Sequence, residues 1–374
     1  MDSILGIVYA TSGREVLREL TKIRTLAALP IAGKYRIIDF VLSGFVNSGI
    51  YDISIITTNN YHSLIDHLGS GKDWDLRRKN GGLRILTPLS GQLATNSSYR
   101  GTLDALFKNL YSIKRSTADY VVITGSSIVC NIDYQEVLEA HISKGADITC
   151  VYTKSMNGGK KVPKGAAVIK MDEESRITDL SINEDDLKDQ DADWCLDMLI
   201  LKKSLMETLT ADAISTGGVD IYQDIINRLS HTLNIYGYEF TGQFFEVSNI
   251  MGYMAANMNF LKKEYREKAF DKPIYTKVKD SVPTTYLNGC QVKNSLIADG
   301  CYIAGYVENS VISRGVKIES GASVKNCIIM QDTDILEGAH IEYVIADKEV
   351  IVREGTELTG HKRYPVVLEK RSIV

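Results

Sequence analysis

Short β-branched runs alternate with longer helical patterns over residues 1–245. Ile4–Val8, Ile53–Thr57, Tyr120–Ile123, Ile148–Tyr152, Ala166–Ile169 and Leu199–Leu201 read as strands. Ile37–Asn47, Thr102–Arg115 and Tyr134–Lys144 space their apolar residues as helices do. Strands alternating with helices predict an α/β domain: a mainly parallel, Rossmann-like sheet with helices on both faces. Ligands of such sheets bind beyond the carboxyl ends of the strands. Gly49 is placed to cap the helix that ends at Asn47. Two polar stretches, Gly69–Gly82 and Asn183–Asp193, read as loops, the second a mostly acidic and amide surface run. A helical pattern at Ile250–Tyr265 and a linker at Lys272–Pro283 then lead away from the first domain.

The tail has a different period. Large aliphatics recur every six residues in the sets Ile297 and Ile303; Ile312, Ile318 and Val324; Ile329, Ile335 and Ile341; and Ile345 and Ile351. Asp299-Gly300, Arg314-Gly315, Ser320-Gly321 and Glu337-Gly338 supply small residues at the intervening corners. One inward aliphatic per six residues predicts a left-handed parallel β-helix of hexapeptide repeats, three sides to a coil. The phase slips between 303 and 312 and between 341 and 345. The predicted domains are therefore 1–245 (α/β), 246–283 (helix and linker) and 284–374 (β-helix), with Lys362–Val374 as a cap over the last coil.

Composition narrows the function classes. With 44% apolar and 24% charged residues and a net charge of −4, the chain has the balance of a soluble globular protein and argues against a broad nucleic-acid surface. No run approaches the roughly 18 apolar residues of a membrane helix. The apolar start lacks a basic flank and reads as a strand rather than a signal peptide. Six dispersed cysteines without a Cys-x-x-Cys, and six histidines without metal-ligand spacing, fit reduced buried thiols in a cytoplasmic protein.

Local motifs then point to a family. Gly33-Lys34-Tyr35-Arg36-Ile37-Ile38-Asp39-Phe40, Leu42-Ser43, Asn47-Ser48-Gly49-Ile50, His62-Ser63-Leu64-Ile65 and His67-Leu68 form one group. Tyr99-Arg100-Gly101-Thr102-Leu103-Asp104-Ala105, Tyr120–Ile123 and Asp133-Tyr134 form another. Over nearly its whole length the chain resembles bacterial glucose-1-phosphate adenylyltransferases. The resemblance implies a nucleotidyltransferase sheet and the reaction of ATP with glucose 1-phosphate to give ADP-glucose and pyrophosphate. Such a reaction needs a phosphate cradle of backbone N–H groups, cationic clamps and carboxylates on Mg²⁺.

The chain departs from the family where that chemistry would sit. Opposite the Gly-Gly-x-Gly-Thr-Arg-Leu loop it has Thr11, Ser12, Gly13, Arg14, Glu15, Val16 and Leu17, so Val16 replaces the arginine. Leu26 stands at the second lysine of the Lys-Arg-Ala-Lys-Pro segment. Ser127 stands at the metal aspartate of Ala-Gly-Asp-His, and Asn183 at the lysine that grips the sugar phosphate. Glu246 takes the place of the second metal aspartate and keeps a charge for weak metal binding at most. The framework motifs meanwhile remain. The pattern resembles the GlgD-type subunit that accompanies a catalytic chain in some bacteria. No confident catalytic residue is expected in this chain, no cofactor of its own is required, and Mg²⁺ belongs to the active partner.

Other roles are expected to persist. Thr11, Ser12, Gly13, Arg14, Gly101, Thr102 and Asp104 are candidates for nucleotide contact, although Thr102 and Asp104 also suit a helix start. By resemblance, Lys34, with Arg36 and Arg24, is a candidate site for a sugar-phosphate effector. The β-helix suits assembly with the catalytic subunit in a tetramer. Three alternatives remain: a competent adenylyltransferase using Arg14 and Glu246 in altered roles, a hexapeptide acyltransferase using His340 or His361, and a sugar-nucleotide sensor.

Overall fold

The computed structural model describes residues 3–10, 17–58, 60–88, 99–154, 162–183 and 192–374. Its contacts divide the chain into two compact units that interleave in sequence. The first holds 1–14, 40–243 and 273–275; the second holds 15–39, 244–272 and 276–374. Pattern alone divides the chain at 245 and 284, because a packing partner far away in sequence leaves no periodic trace.

In the first unit, seven strands run in the order Ile235–Glu239, Ile148–Lys154, Asp193–Lys202, Tyr120–Thr124, Ile4–Tyr9, Asp52–Ile56 and Gly82–Leu86. All are mutually parallel except Asp193–Lys202, which runs against both of its neighbours. An antiparallel pair, Ala167–Met171 and Ile177–Ile182, attaches at Asp193 and Trp194. Helices cover both faces. Leu103, Leu106, Leu110 and Ile113 of Thr102–Lys114 join Met206, Leu209 and Ala213 of Lys203–Ser215 in one core with Leu5, Ile7, Val121 and Ile123. On the other face Phe45 stacks on Tyr134, with ring centroids 4.9 Å apart. The Phe45 ring also lies against Gly6, where an added Cβ would sit 3.0 Å from it. The helix Ile37–Asn47 has its expected limits, and Gly49 at φ +74° turns the chain after it. The stretch Gly69–Gly82 is not all loop: a 3₁₀ turn at Lys72–Trp74 buries Trp74.

In the second unit, three five-stranded parallel sheets form the sides of a left-handed β-helix. The inward columns are Ile303, Ile318, Ile335 and Val352; Val292, Val307, Val324, Ile341 and Leu358; and Ile297, Ile312, Ile329, Ala346 and Leu368. Side lengths explain the phase slips. Ile312 to Ile318 and Ile318 to Val324 are six-residue steps, whereas Val324 to Ile329 is five and Ile303 to Val307 is four. Two expected inward residues are therefore corrected. Ile345 pairs with Ile328 and Ile351 with Asp334, which leaves Ala346 and Val352 pointing inward. Ile345 is nonetheless fully buried, as are Val311 and Ile328 on the same outer face. That face is covered by the unit's first segment: a Cβ on Gly33 would lie 3.9 Å from Val311 Cγ1 and 3.5 Å from the Ile312 carbonyl.

The corners carry positive φ. Gly300, Gly315, Gly321 and Gly338, expected as corners, lie at +75°, +70°, +72° and +67°. The expected helix Ile250–Tyr265 is broken into Ile250–Asn259 and Lys263–Ala269. Lys272–Pro283, expected as a linker, is free of helix and strand. The six cysteines are free and five are buried. Among the described residues no helix is long and apolar enough to cross a membrane.

Candidate functional site

The ligand end of the first unit follows from its topology. From Ile4–Tyr9 the chain builds outward to Asp52–Ile56 and Gly82–Leu86, then crosses to Tyr120–Thr124 on the opposite side of the first strand. The carboxyl ends of Ile4–Tyr9 and Tyr120–Thr124 therefore flank the point where strand order reverses, and this is where an open α/β sheet binds its ligand. The chain leaves these ends at Ala10 and Gly125. Thr11, Ser12, Gly13, Arg14 and Val16, expected at the phosphate loop, lie outside the described residues.

Gly101, Thr102 and Asp104 turn out to be committed to the protein itself. A Cβ on Gly101 would lie 2.3 Å from the Val219 carbonyl, so only glycine lets these segments approach. The Thr102 hydroxyl accepts a hydrogen bond from Ile221 N at 3.0 Å, and its carbonyl accepts one from the Tyr9 hydroxyl at 2.8 Å. Asp104 is buried and accepts from Arg100 N at 3.0 Å and Lys108 Nζ at 2.8 Å. Burial pushes its carboxyl up, but these donors outweigh burial and hold it below the usual range. Gly101 and Thr102 thus dock the helix start onto Val219–Tyr222, while Asp104 ties the first turn to Arg100 and Lys108.

Asn183 is likewise occupied. Its buried amide donates to the carbonyls of Val162 at 3.2 Å and Pro163 at 3.0 Å. It acts as a backbone clamp where the resemblance called for a phosphate-gripping lysine. At the strand end beyond Gly125, Ser126 is fully buried and Ser127 half-buried. The Ser126 hydroxyl has no hydrogen-bond partner among the described residues.

One residue that the sequence pattern did not flag enters this crevice. A Cβ on Gly125 would lie 2.0 Å from Asp197 Oδ2, so the Asp197 carboxylate rests against the bare glycine. Gly125 N also donates to the Asp197 carbonyl at 2.9 Å. Asp197 holds φ +58°, and the strand register shifts between Cys195 and Met198. Tyr9 lies within reach of its field: the phenol is held well above its usual range by burial first, then by Asp197 and Asp220.

The second unit contains the remaining candidates. Leu26 is buried in a 3₁₀ turn, Leu26–Ala28, an apolar position now closed to phosphate. Arg24 is also buried, and its guanidinium grips Asp347 through two bonds of 2.8 and 2.6 Å. Neither partner of this pair faces solvent, so the guanidinium expected at an effector site is held inside the protein. Arg36 is half-buried in the short strand Tyr35–Arg36, and Lys34 is exposed, its ammonium 5.0 Å from the Tyr35 ring centre. Their neighbourhood includes Lys348, which sequence reasoning missed because it lies more than 300 residues away in the chain. Burial first, then Arg36 and Arg24, with a smaller effect from Lys279, lowers the Lys348 ammonium to about 7 against the opposing pull of Asp347. Positive charge is thus crowded around one half-buried amine.

The magnesium chemistry of the resembled enzymes does not fit the donors present. A hard cation takes several oxygens, usually with one or two carboxylates among them. Ser127 supplies a neutral hydroxyl. The Glu246 carboxyl is pushed above the usual carboxylate range by burial, partly offset by a hydrogen bond from Ser248. Among the described residues no three His, Cys, Asp or Glu side chains converge as a metal site. The histidines considered for acyl transfer, His340 and His361, are exposed on the β-helix, and His361 Nδ1 accepts from Arg363 N at 3.2 Å.

The fold and crevice define a nucleotidyltransferase-type sheet joined to a hexapeptide β-helix. A nucleotidyl transferase family model matches residues 12–181, and a GlmU-like C-terminal hexapeptide model matches 281–363. The chain is 35% identical to a glycogen biosynthesis protein GlgD of Bacillus subtilis over 99% of its own length and 96% of that protein. A GlgD of Geobacillus stearothermophilus is 36% identical, covering 86% of this chain and 83% of the relative. A glucose-1-phosphate adenylyltransferase of Fervidobacterium nodosum is 32% identical, covering 96% and 87%. The chain belongs to the glucose-1-phosphate adenylyltransferase family, which here includes the GlgD glycogen biosynthesis proteins.

Proposed function

We propose that this chain serves glycogen biosynthesis as a regulatory, catalytically weak subunit that supports ADP-glucose formation from ATP and glucose 1-phosphate in a catalytic partner. One observation carries the reading: positions that should face substrate are spent inside the protein. Asn183 holds two carbonyls and Leu26 fills an apolar turn. Ser127 brings a neutral hydroxyl where the resemblance calls for a metal carboxylate, and among the described residues no three His, Cys, Asp or Glu side chains converge. On this reading the partner supplies the magnesium site, the two chains form a mixed tetramer in the cytoplasm, and this chain acts as a pseudoenzyme that tunes its neighbour. Tuning requires the partner's two conformations to contact it differently.

The test is to purify the chain alone and with its catalytic partner and measure ADP-glucose formation. Alone, it should run about a hundredfold or more below the mixed complex, the scale on which losing one charge-stabilising group reduces kcat. Equal turnover by the isolated chain sinks the proposal and favours the altered-role enzyme.

The second unit favours an effector role as well. Arg36, Lys279 and Lys348 gather cationic charge that a sugar phosphate would neutralise. Binding of a sugar phosphate should tighten below pH 7, where Lys348 carries its proton. Affinity that is flat from pH 6 to 8 would remove Lys348 from the site.

A further inference from the structure

We infer that the second unit carries a small-molecule site for an amphiphilic anion, an apolar body bearing one carboxylate or phosphate. The site is a cleft of about 420 Å³ among the turn that begins at Arg18, the start of the helix Ile250–Asn259 and the segment Arg363–Val367. All three segments belong to the second unit. The inference goes beyond the subunit reading, and the cleft shares no residue with the Arg36, Lys279 and Lys348 cluster.

Three local features shape it. His361 and Tyr364 exchange backbone hydrogen bonds of 3.1 and 2.8 Å, a tight turn with Lys362 and Arg363 at its tip. Arg363 N donates to His361 Nδ1 at 3.2 Å, and among the described residues its exposed guanidinium has no hydrogen-bond or ion-pair partner. Tyr364 receives Arg18: Nη1 donates to the phenol oxygen at 3.2 Å, and the guanidinium carbon lies 6.0 Å from the ring centre. That bond leaves the other N–H groups of Arg18 for a ligand. Arg18 holds φ +46°, a left-handed conformation that persists at a cost where the surroundings enforce it. Asn249 caps the helix by accepting from Gly252 N at 2.8 Å, and Ile250 and Met251 of the first turn line the cleft.

The lining decides the ligand. Ile250, Met251, Val366 and Val367 make an apolar wall, and Arg18 and Arg363 bring two guanidiniums. Among the described lining residues Glu19 is the one carboxylate, so one positive charge is left over, the complement of a single anionic group. Guanidinium N–H groups match the paired oxygens of a carboxylate or phosphate. A cleft of this volume, apolar with a few polar groups, has the make-up of a small-molecule site. The Met251 thioether can adapt to bodies of different shape. A sugar phosphate fits poorly, because its hydroxyls would lie unpaired against the apolar wall. The wall thus sets this ligand apart from the sugar phosphate proposed for Lys348.

The experiment titrates the full chain by calorimetry with octanoate and, separately, with phenyl phosphate, the two arms that tell a carboxylate from a phosphate head. At least one should bind with Kd below about 1 mM, which an anion of about ten non-hydrogen atoms reaches at ordinary ligand efficiency. Arg363→Gln removes one cation, and Met251→Glu puts a like charge in the wall. Arg363 is exposed and Met251 is 37% exposed, so both variants should melt near wild type. Each should weaken binding at least about tenfold, the scale of one hydrogen bond to a charged group. Lys348→Met should bind within about twofold of wild type, which separates this cleft from the effector cluster. No binding of either anion, or affinities within about twofold of wild type in both Arg363→Gln and Met251→Glu, overturns the site. So does 1-octanol that displaces octanoate at equal concentration, since charge would then play no part.

Discussion

The β-helix and the crevice of the α/β unit follow opposite rules. In the β-helix a residue's role is set by its place in a repeat. Ile303, Ile318, Ile335 and Val352 stack in one column, and most corners turn at positive φ. In the crevice a residue's role is set by exceptions, such as an acid at φ +58° beside a register shift. Repetition makes structure easy to infer from neighbours, whereas function accumulates where the local rule is broken.

The sharpest way to break the comparison is the buried pair that ties the first segment of the second unit to its β-helix. Arg24 and Asp347 are 2% and 1% exposed. Arg24→Ala leaves an uncompensated buried carboxylate, and Asp347→Ala an uncompensated guanidinium; each should cost about 3–5 kcal/mol in denaturant unfolding. The double change Arg24→Met with Asp347→Leu should recover most of that loss. If either single change costs less than about 1 kcal/mol, the range of an exposed pair, then the segment is not held by this bond.

A smaller effect concerns Lys348, whose amine is lowered to about 7 from an ordinary 10.5. Between these values the unfolded chain binds more protons than the folded one, so stability rises as pH climbs from 7 to 10. The penalty is present in full below pH 7. Lys348→Met should flatten this rise and add stability at neutral pH on the order of 2 kcal/mol, discounted for partial exposure. The groups that set the shift, Arg36, Arg24, Lys279 and Asp347, all remain in that variant. Melting temperatures that rise equally with pH in both proteins would place the titration elsewhere.

How far the sequence reveals the molecule differs between the two regions. The helix Ile37–Asn47 has the ends its pattern predicted, because an apolar stripe and a glycine stop are local signals. The six-residue columns hold through Ile341 and then fail by one position. A five-residue side separates Ile341 from Ala346, and an outer apolar face makes Ile345 look equally inward. In the site, Ser127 and Asn183 could be found because a charged residue was missing where the resemblance required one. Asp197 could not, since an acid near the middle of a strand pattern gives no sign of where its carboxylate will go. Lys348 and Arg24 share a further reason: partners more than 300 residues apart meet only after folding.

The smallest prediction uses the repeat against itself. At the corner before the third side, Asn294, Asn309 and Asn326 lie at φ +42°, +47° and +53°, and Tyr343 occupies the same corner at +51°. Asparagine tolerates this region because its short polar side chain can bond locally, and Asn294 Nδ2 does donate to Asn309 Oδ1 at 2.7 Å. Tyrosine gains nothing comparable from the conformation. Tyr343→Asn should therefore stabilise the protein by about 0.5–1 kcal/mol, the scale of relieving one left-handed residue. Differential scanning fluorimetry would show it as a small rise in Tm. A fall would mean that the Tyr343 ring, half-buried at its corner, contributes packing that outweighs its backbone cost, and the rule read from neighbouring coils would stop at the coil where the inward columns also change phase.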